Sequence, residues 1–230
     1  MNERQWSAPQ GNSAPGLDIE VGGHQFSALA ERALYWPSER MLMIADLHLG
    51  KSDTFRAFGV AVPQAVQCDD LARLQRALSS WKIQTLVVLG DFVHDRIVSE
   101  ESRAAWANLR DRHPKVRFVL IRGNHDRFLR AADWNFDDVL HRLNVNGVLL
   151  SHDVIKPHSV QTPFSLNVYG HFHPVFRARG WTRALPAMVH TGHGLALPAF
   201  TAFAAGMSVH TPQSRVWIFN DEAPWVARVQ

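Results

Sequence analysis

Arg122-Gly123-Asn124-His125-Asp126 sets three side chains of different chemistry side by side, directly after the largely apolar run 116–121. Asn offers a neutral oxygen ligand, His a proton or a nitrogen ligand, and Asp a charge that could orient the His. On its own the stretch is as compatible with an ordinary polar turn as with a site. Other apolar runs end in the same residue types, however. Asp46 and His48 follow 41–45, Asp91 follows 85–89, His152 follows 145–150, and His171 and His173 follow 165–169. In open α/β sheets, sites form beyond the carboxyl ends of the strands. Five such ends would therefore direct oxygen and nitrogen ligands into one crevice. Taken singly, each His is more readily a hydrogen-bonded structural residue; the recurrence at five ends points to metal.

Asp46, His48, Asp91, Asn124, His152, His171 and His173 are too many ligands for one ion. Divided between two ions with one shared carboxylate, they provide about four each. No thiolate takes part, so a structural zinc cluster is not indicated. The set suits Mn²⁺, Fe or Zn²⁺ and is too rich in imidazole for Mg²⁺ alone. A pair of divalent ions can activate water and polarise a phosphoryl oxygen, so the expected reaction is phosphate-ester hydrolysis by in-line attack.

The elements that must position these residues follow from patterning. Residues 17–21 alternate apolar and polar, as a half-buried strand does. Residues 33–36 and 41–45 flank the Pro-led turn 37–40, which predicts a hairpin. Residues 64–81 form the clearest helix, with Leu71, Leu74, Leu78 and Trp81 at three- and four-residue steps and Asp69, Asp70, Arg73 and Arg76 between them; Pro63 suits its first turn. Ser99 is a good N-cap for a second helix, with Glu100 and Glu101 in its first turn and Trp106 and Leu109 facing inward. A short helical stretch is expected over 133–143, then strands at 145–150 and 165–169, and strand-and-turn material beyond 175. Residues 1–16 read as a disordered tail and 17–230 as one α/β domain.

Composition bounds the rest. The chain has 230 residues, 46% hydrophobic and 20% charged, as an ordinary globular protein has. No run approaches the roughly 18 apolar residues of a membrane span, and the polar N-terminus lacks a signal-peptide core, so a cytoplasmic location without membrane association is expected. The single cysteine, Cys68, excludes an internal disulfide. A net charge of +3 permits polyanion contact without demanding it.

DLH, GD, GNHD, SHD and GHFH in this order resemble the calcineurin-like metallophosphoesterase superfamily. The flanking text ERALYWP, ADLHLGK, LVVLGDF, RGNHDR, GHFHP and LPAFTAF resembles the ligase-associated DNA damage response endonucleases within it, over roughly Leu34 to Phe203. The resemblance implies two mixed β-sheets packed face to face with helices outside. It implies two divalent ions, Mn²⁺ foremost. Asp46, His48, Asp91 and His173 would hold one, and Asp91, Asn124, His152 and His171 the other. His125 would be a non-ligand that stabilises the transition state or protonates the leaving alkoxide, with Asp126 orienting it. The implied substrate is DNA, single-stranded in repair, with a DNA ligase and a helicase as possible partners. Two features depart from the pattern or vary within it: Ser151 stands where many members have Gly, and His94 and Asp95 follow the second motif where relatives vary.

Two rivals share these residues. One is a phosphodiesterase or pyrophosphatase on cyclic nucleotides or a nucleotide-lipid, because fold and metals do not fix substrate. The other is a non-catalytic scaffold, which the retention of His125 and all the ligands disfavours. Of the other residues, His94 could line the site and His193 could contact substrate. His24, His113, His141, His158 and His210 read as surface histidines. Lys51, Arg56, Arg127 and Arg130 could meet phosphates. Phe55, Phe58 and Phe128 are assigned to the core in preference to base stacking, and Trp81 and Trp106 to the core.

Overall fold

A computed structural model describes residues 16–62, 65–209, 213–220 and 225–229. The expected tail, Pro63 and His210 lie outside those residues, Gly16 apart. The first sheet runs in chain order: β1 (Gly16–Val21), β2 (His24–Leu29), β3 (Ala33–Trp36), β4 (Met41–Ile44), β5 (Thr85–Leu89), β6 (Arg117–Ile121) and β7 (Asp138–Leu140). Its first four strands are antiparallel neighbours, and β4 to β7 are parallel. The hairpin at 33–45 forms as its turn signal predicts.

The second sheet contains β8 (Arg142–Val145), β9 (Val148–Ser151), β10 (Leu166–Tyr169), β11 (Pro174–Phe176), β12 (Leu185–Thr191), β13 (Gly194–Ala196), β14 (Met207–Ser208), β15 (Arg215–Asn220) and β16 (Trp225–Arg228). It is also mixed: β10 is parallel to β9 and β13, whereas β8 and β12 run antiparallel to their neighbours. Alternation along the central strands fills two cores at once. Val87, Leu89, Val119 and Ile121 share a core with residues of the second sheet such as Leu150, Val168 and Trp217. Leu86, Val88, Phe118 and Leu120 face the other way, onto the helices α2 (Ala65–Ser80) and α3 (Glu100–Arg112). A third helix, α1 (Lys51–Ala57), follows β4. The fold is the expected pair of face-to-face mixed sheets flanked by helices.

Ser99 caps α3 by accepting from the Ser102 N–H at 3.2 Å. Asp70 and Arg73 of α2, which the pattern places among polar spacers, are instead buried and bonded to each other at 2.7 Å.

Residues 133–143 do not form the expected helix. Val139 packs on the helix-side core and Leu140 on the inter-sheet core, a period of two, and the segment becomes β7 beside β6. Asp137 reinforces this by accepting from the Phe118 N–H at 2.7 Å. The single strand expected at 145–150 is a hairpin. Asn146 and Gly147 have φ of 48° and 82°, the left-handed pair that a two-residue hairpin turn requires.

Trp106 is buried against Phe92, Phe118 and Phe136, and its indole N–H donates to the Trp134 carbonyl at 2.9 Å. Trp106→Ala is expected to lower the unfolding free energy by about 3–5 kcal/mol in urea titration; a loss below about 1 kcal/mol would contradict this packing.

Candidate metal centre

The parallel register aligns the ends of β4, β5 and β6: Ile44 lies beside Val88, and Leu89 beside Ile121. The chain beyond each end continues to pair. Asp46 N–H donates to the Gly90 carbonyl at 3.1 Å, and His48 N–H to the Asp91 carbonyl at 2.9 Å. The second sheet meets this edge from across the sandwich, where the His171 N–H donates to the Asp46 carboxylate at 2.9 Å.

All seven predicted ligands converge here. Asp46, His48, Asp91 and His152 are buried and form the floor; Asn124, His171 and His173 are more open and form the rim. Two clusters separate within the site, Asp46/His48/His173 and Asp91/His152/His171, each with its ligand atoms within 4.8 Å of one another. In the first, His173 Nε2 lies 3.5 Å from Asp46 Oδ1 and 3.4 Å from His48 Nε2. In the second, His152 Nε2 lies 3.5 Å from Asp91 Oδ2, 3.0 Å from Asn124 Oδ1 and 3.0 Å from His171 Nδ1.

The donor set fits cations. His152 Nδ1 is 3.0 Å from the Leu89 carbonyl, which can only accept, so the ring proton sits on Nδ1. A neutral His152 then presents its Nε2 lone pair among Asn124 Oδ1, Asp91 Oδ2 and His171 Nδ1, a set of donor atoms that a cation would draw into coordination. His173 is held likewise by the Ala205 carbonyl at 3.1 Å. Such outer partners fix the ring orientation of metal-binding histidines. Burial, with Lys51 next, pushes the His48 imidazole down to about 2, so it stays neutral and able to ligate. Burial pushes the Asp46 carboxyl up, against the pull of His173. Burial disfavours the charged His173 ring as well, but Asp46 outweighs it and raises its affinity for a proton.

The backbone is strained where the ligands sit. Asp46, His48, Asp91, His171 and His173 all have φ between 45° and 68°, the left-handed region that L-residues avoid. Strain of this kind clusters at functional sites. Three glycines permit the close approach: a Cβ on Gly90 would lie 2.2 Å from the His152 ring, one on Gly123 2.4 Å from the Asp91 carboxylate, and one on Gly170 2.7 Å from the Asp46 carboxylate. Ser151 causes no difficulty as the last residue of β9. Its hydroxyl donates to the Asp153 carbonyl at 2.6 Å and accepts from Asn167 at 2.8 Å.

His125 stands at the rim, its Nε2 4.0 Å from Asp91 Oδ2. Asp126 does not orient it. The Asp126 carboxylate is buried and accepts from the Val93 and Gly123 N–H groups at 3.1 and 2.9 Å, shaping the turn. The His125 ring is fixed by the His94 carbonyl, 2.6 Å from Nδ1, a backbone contact with no trace in residue types. His94 does line the site: its ring stacks on His125 at 5.2 Å and faces His48 at 5.3 Å. His193 does not. It sits beside the start of β10, at the opposite end from His171, and its carbonyl accepts from Asn167 N–H. Phe58 and Phe128 are not core residues, being 76% and 49% exposed.

The LPAFTAF stretch is a strap behind Asp46. Phe200 N–H donates to the Ala45 carbonyl at 2.7 Å and Thr201 N–H to the Asp46 carbonyl at 3.4 Å. Buried Arg32 donates to the Thr201 carbonyl at 2.8 Å, and Arg73 donates to the Phe200 carbonyl. The sequence pattern gives neither cation this part: Arg73 reads as a polar spacer of its helix, and Arg32 stands only within the flanking text ERALYWP.

The model of the calcineurin-like phosphoesterase family matches residues 39–213. The chain belongs to that family. Calcineurin-like phosphoesterases are metal-dependent hydrolases, and the two Asp/His clusters are consistent with that chemistry. Among solved structures, Pseudomonas putida nuclease MPE is 32% identical, with a TM-score of 0.77, covering 93% of this chain and 100% of that one. A protein of unknown function from Aquifex aeolicus is 22% identical with a TM-score of 0.41, covering 61% of this chain and 81% of that one. No curated protein matches the sequence.

Gly90 and Gly23 have nearly equal φ, 80° and 81°, but a Cβ at Gly23 meets nothing within 4 Å. Alanine at either position is expected to cost about 1–2 kcal/mol of stability from the left-handed backbone alone. Only Gly90→Ala should also weaken divalent-ion binding, by about tenfold or more in calorimetric titration, because a tenfold loss needs just ~1.4 kcal/mol of misplacement at His152. Equal affinities in the two variants would sink the close-approach argument.

Proposed function

We propose that this phosphoesterase is a dinuclear metal-dependent phosphodiesterase and endonuclease that cuts single-stranded DNA in repair. The observation that carries the metal assignment is the pairing of Asp46/His48/His173 with Asp91/His152/His171. Asp91 would be the shared carboxylate and Asn124 would complete the second set, with Mn²⁺ the preferred ion for an oxygen- and imidazole-rich site. Bound there, two divalent ions would supply charge to a phosphoryl oxygen and lower the pKa of a water.

The chain's own residues supply the rest. His125, with Nδ1 held by a carbonyl, has Nε2 at the rim of the centre, 4.0 Å from Asp91 Oδ2, where an imidazolium would hand its proton to the leaving alkoxide. Asp126 acts on the turn and not on the ring, so it is a shaping residue in this account. DNA as substrate is supported by the likeness to a nuclease, at 32% identity over nearly the whole chain, and by the motif text shared with repair endonucleases. That text also supports a DNA ligase and a helicase as partners.

With Mn²⁺ the protein is expected to hydrolyse bis-p-nitrophenyl phosphate and to cut both linear and circular single-stranded DNA. Cutting cyclic nucleotides while leaving DNA intact would overturn the nuclease reading. Asp91→Ala should lose metal and activity together. His125→Ala should keep both Mn²⁺ equivalents and lose turnover by about 10²–10⁴-fold, the range of one acid–base group. Loss of an ion in that variant would instead place His125 among the ligands, with His48 and His94 beside it.

A further inference from the structure

A cleft of about 280 Å³ opens from the His125 side of the centre, away from the two Asp/His clusters. Its wall is built by the turn that follows the strand. Residues His125–Phe128 form one 3₁₀ turn, in which side chains three apart eclipse, so His125 and Phe128 project the same way. Both line the cleft. Phe128 is half exposed, and the Arg96 guanidinium lies 3.6 Å from its ring centre, with that of Arg127 at 4.7 Å. Deeper in the cleft, the Arg103 guanidinium lies 4.6 Å from the Trp134 ring. Arg130 adds a further cation, and Asp95 and Asp133 contribute the opposing charge. The Asp95 carboxylate is turned onto the Arg96 backbone N–H at 2.6 Å.

Core packing does not account for Phe128, which is half exposed and absent from the helix-side core that takes in Leu129 and Trp134. A ring topped by planar guanidinium groups is a surface on which a nucleobase stacks, on ring or guanidinium alike. Arginine nearby also meets the phosphate backbone. An apolar small molecule would not need that charge, and a duplex would keep its bases turned inward.

We propose that this cleft receives the nucleotide on the leaving-group side of the scissile phosphate, its base stacking on the Arg96–Phe128 pair. The inference rests on the nuclease reading above and deepens it. His125 is the residue placed to protonate the leaving oxygen, so the strand that departs lies on its side of the metals. Phe128 is thus a positioning residue for single strands, whose unpaired bases are free to stack there. Stacking of this kind is sequence-tolerant, since every base has a π-face.

The test compares intact single-stranded DNA with the same strand carrying tetrahydrofuran residues in place of bases, in the Mn²⁺-loaded full chain. For the unaltered protein, removing the bases should slow cleavage by about tenfold, within the range of one lost stack. Phe128→Ala should cut the intact strand about as slowly as the baseless one, the change falling mainly on KM, and Phe128→Trp should restore the preference. Arg96→Ala provides a second variant at the same stack should Phe128→Ala fold poorly. Fluorescence anisotropy with metal chelated should show the same loss of preference in binding. If the unaltered protein hydrolyses bis-p-nitrophenyl phosphate but cuts neither strand, the nuclease reading fails. If it cuts DNA and Phe128→Ala and Arg96→Ala keep the full preference for bases, the stacking cleft alone is overturned.

Discussion

Two carboxylates, Asp46 and Asp91, are buried side by side at adjacent strand ends, and the molecule around them is arranged to make that tolerable. A buried carboxylate without a cation is costly. Their immediate neighbours are imidazoles: burial keeps His48 neutral, whereas Asp46 raises the proton affinity of His173 and draws positive charge to itself there. Backbone N–H groups offset part of the cost: His171 N–H on Asp46 and His125 N–H on Asp91. Divalent ions would offset the remainder, and the second sheet brings His152, His171 and His173 across the sandwich to the same two clusters.

Holding the ligands this close demands unfavourable backbone. Five of the site residues sit in the left-handed region; cross-strand bonds past the ends of β4 and β5 hold the Asp46, His48 and Asp91 turns, and bonds to the His152 and His173 carbonyls hold the turn after β10. The strap through Phe200 and Thr201, tied by Arg32 and Arg73, braces Asp46 from behind. A centre built on loops thereby acquires the rigidity of the sheets that carry it.

The strand ends are legible in the sequence because the signal there is doubled: an apolar run fills a two-sided core, and Asp, Asn or His follows it at each end that meets in the cluster. Gly90 and Gly123 before Asp91 and Asn124 carried the same information sterically. The segment 133–143 was not legible as strand, because a three-residue strand such as Asp138–Leu140 shows too little periodicity to oppose a helical reading. Its fate depends on pairing with β6, a long-range contact. The turn Asn146-Gly147 did carry a hairpin signal that a reading of 145–150 as one apolar run passes over. The hold on His125 was illegible for another reason: a backbone carbonyl, the one at His94, takes the part that Asp126 was expected to take, and every residue type has a carbonyl. The exposure of Phe128 was equally hidden, since an aromatic next to a motif is core by default until the turn geometry is known.

The central claim is that two strand-end clusters, sharing Asp91, hold two ions. Anomalous-difference maps from crystals of the Mn²⁺-loaded protein test it directly. Two peaks are expected, one among Asp46, His48 and His173 and one among Asp91, His152 and His171. A single peak, or one centred on His48, His94 and His125, would contradict it.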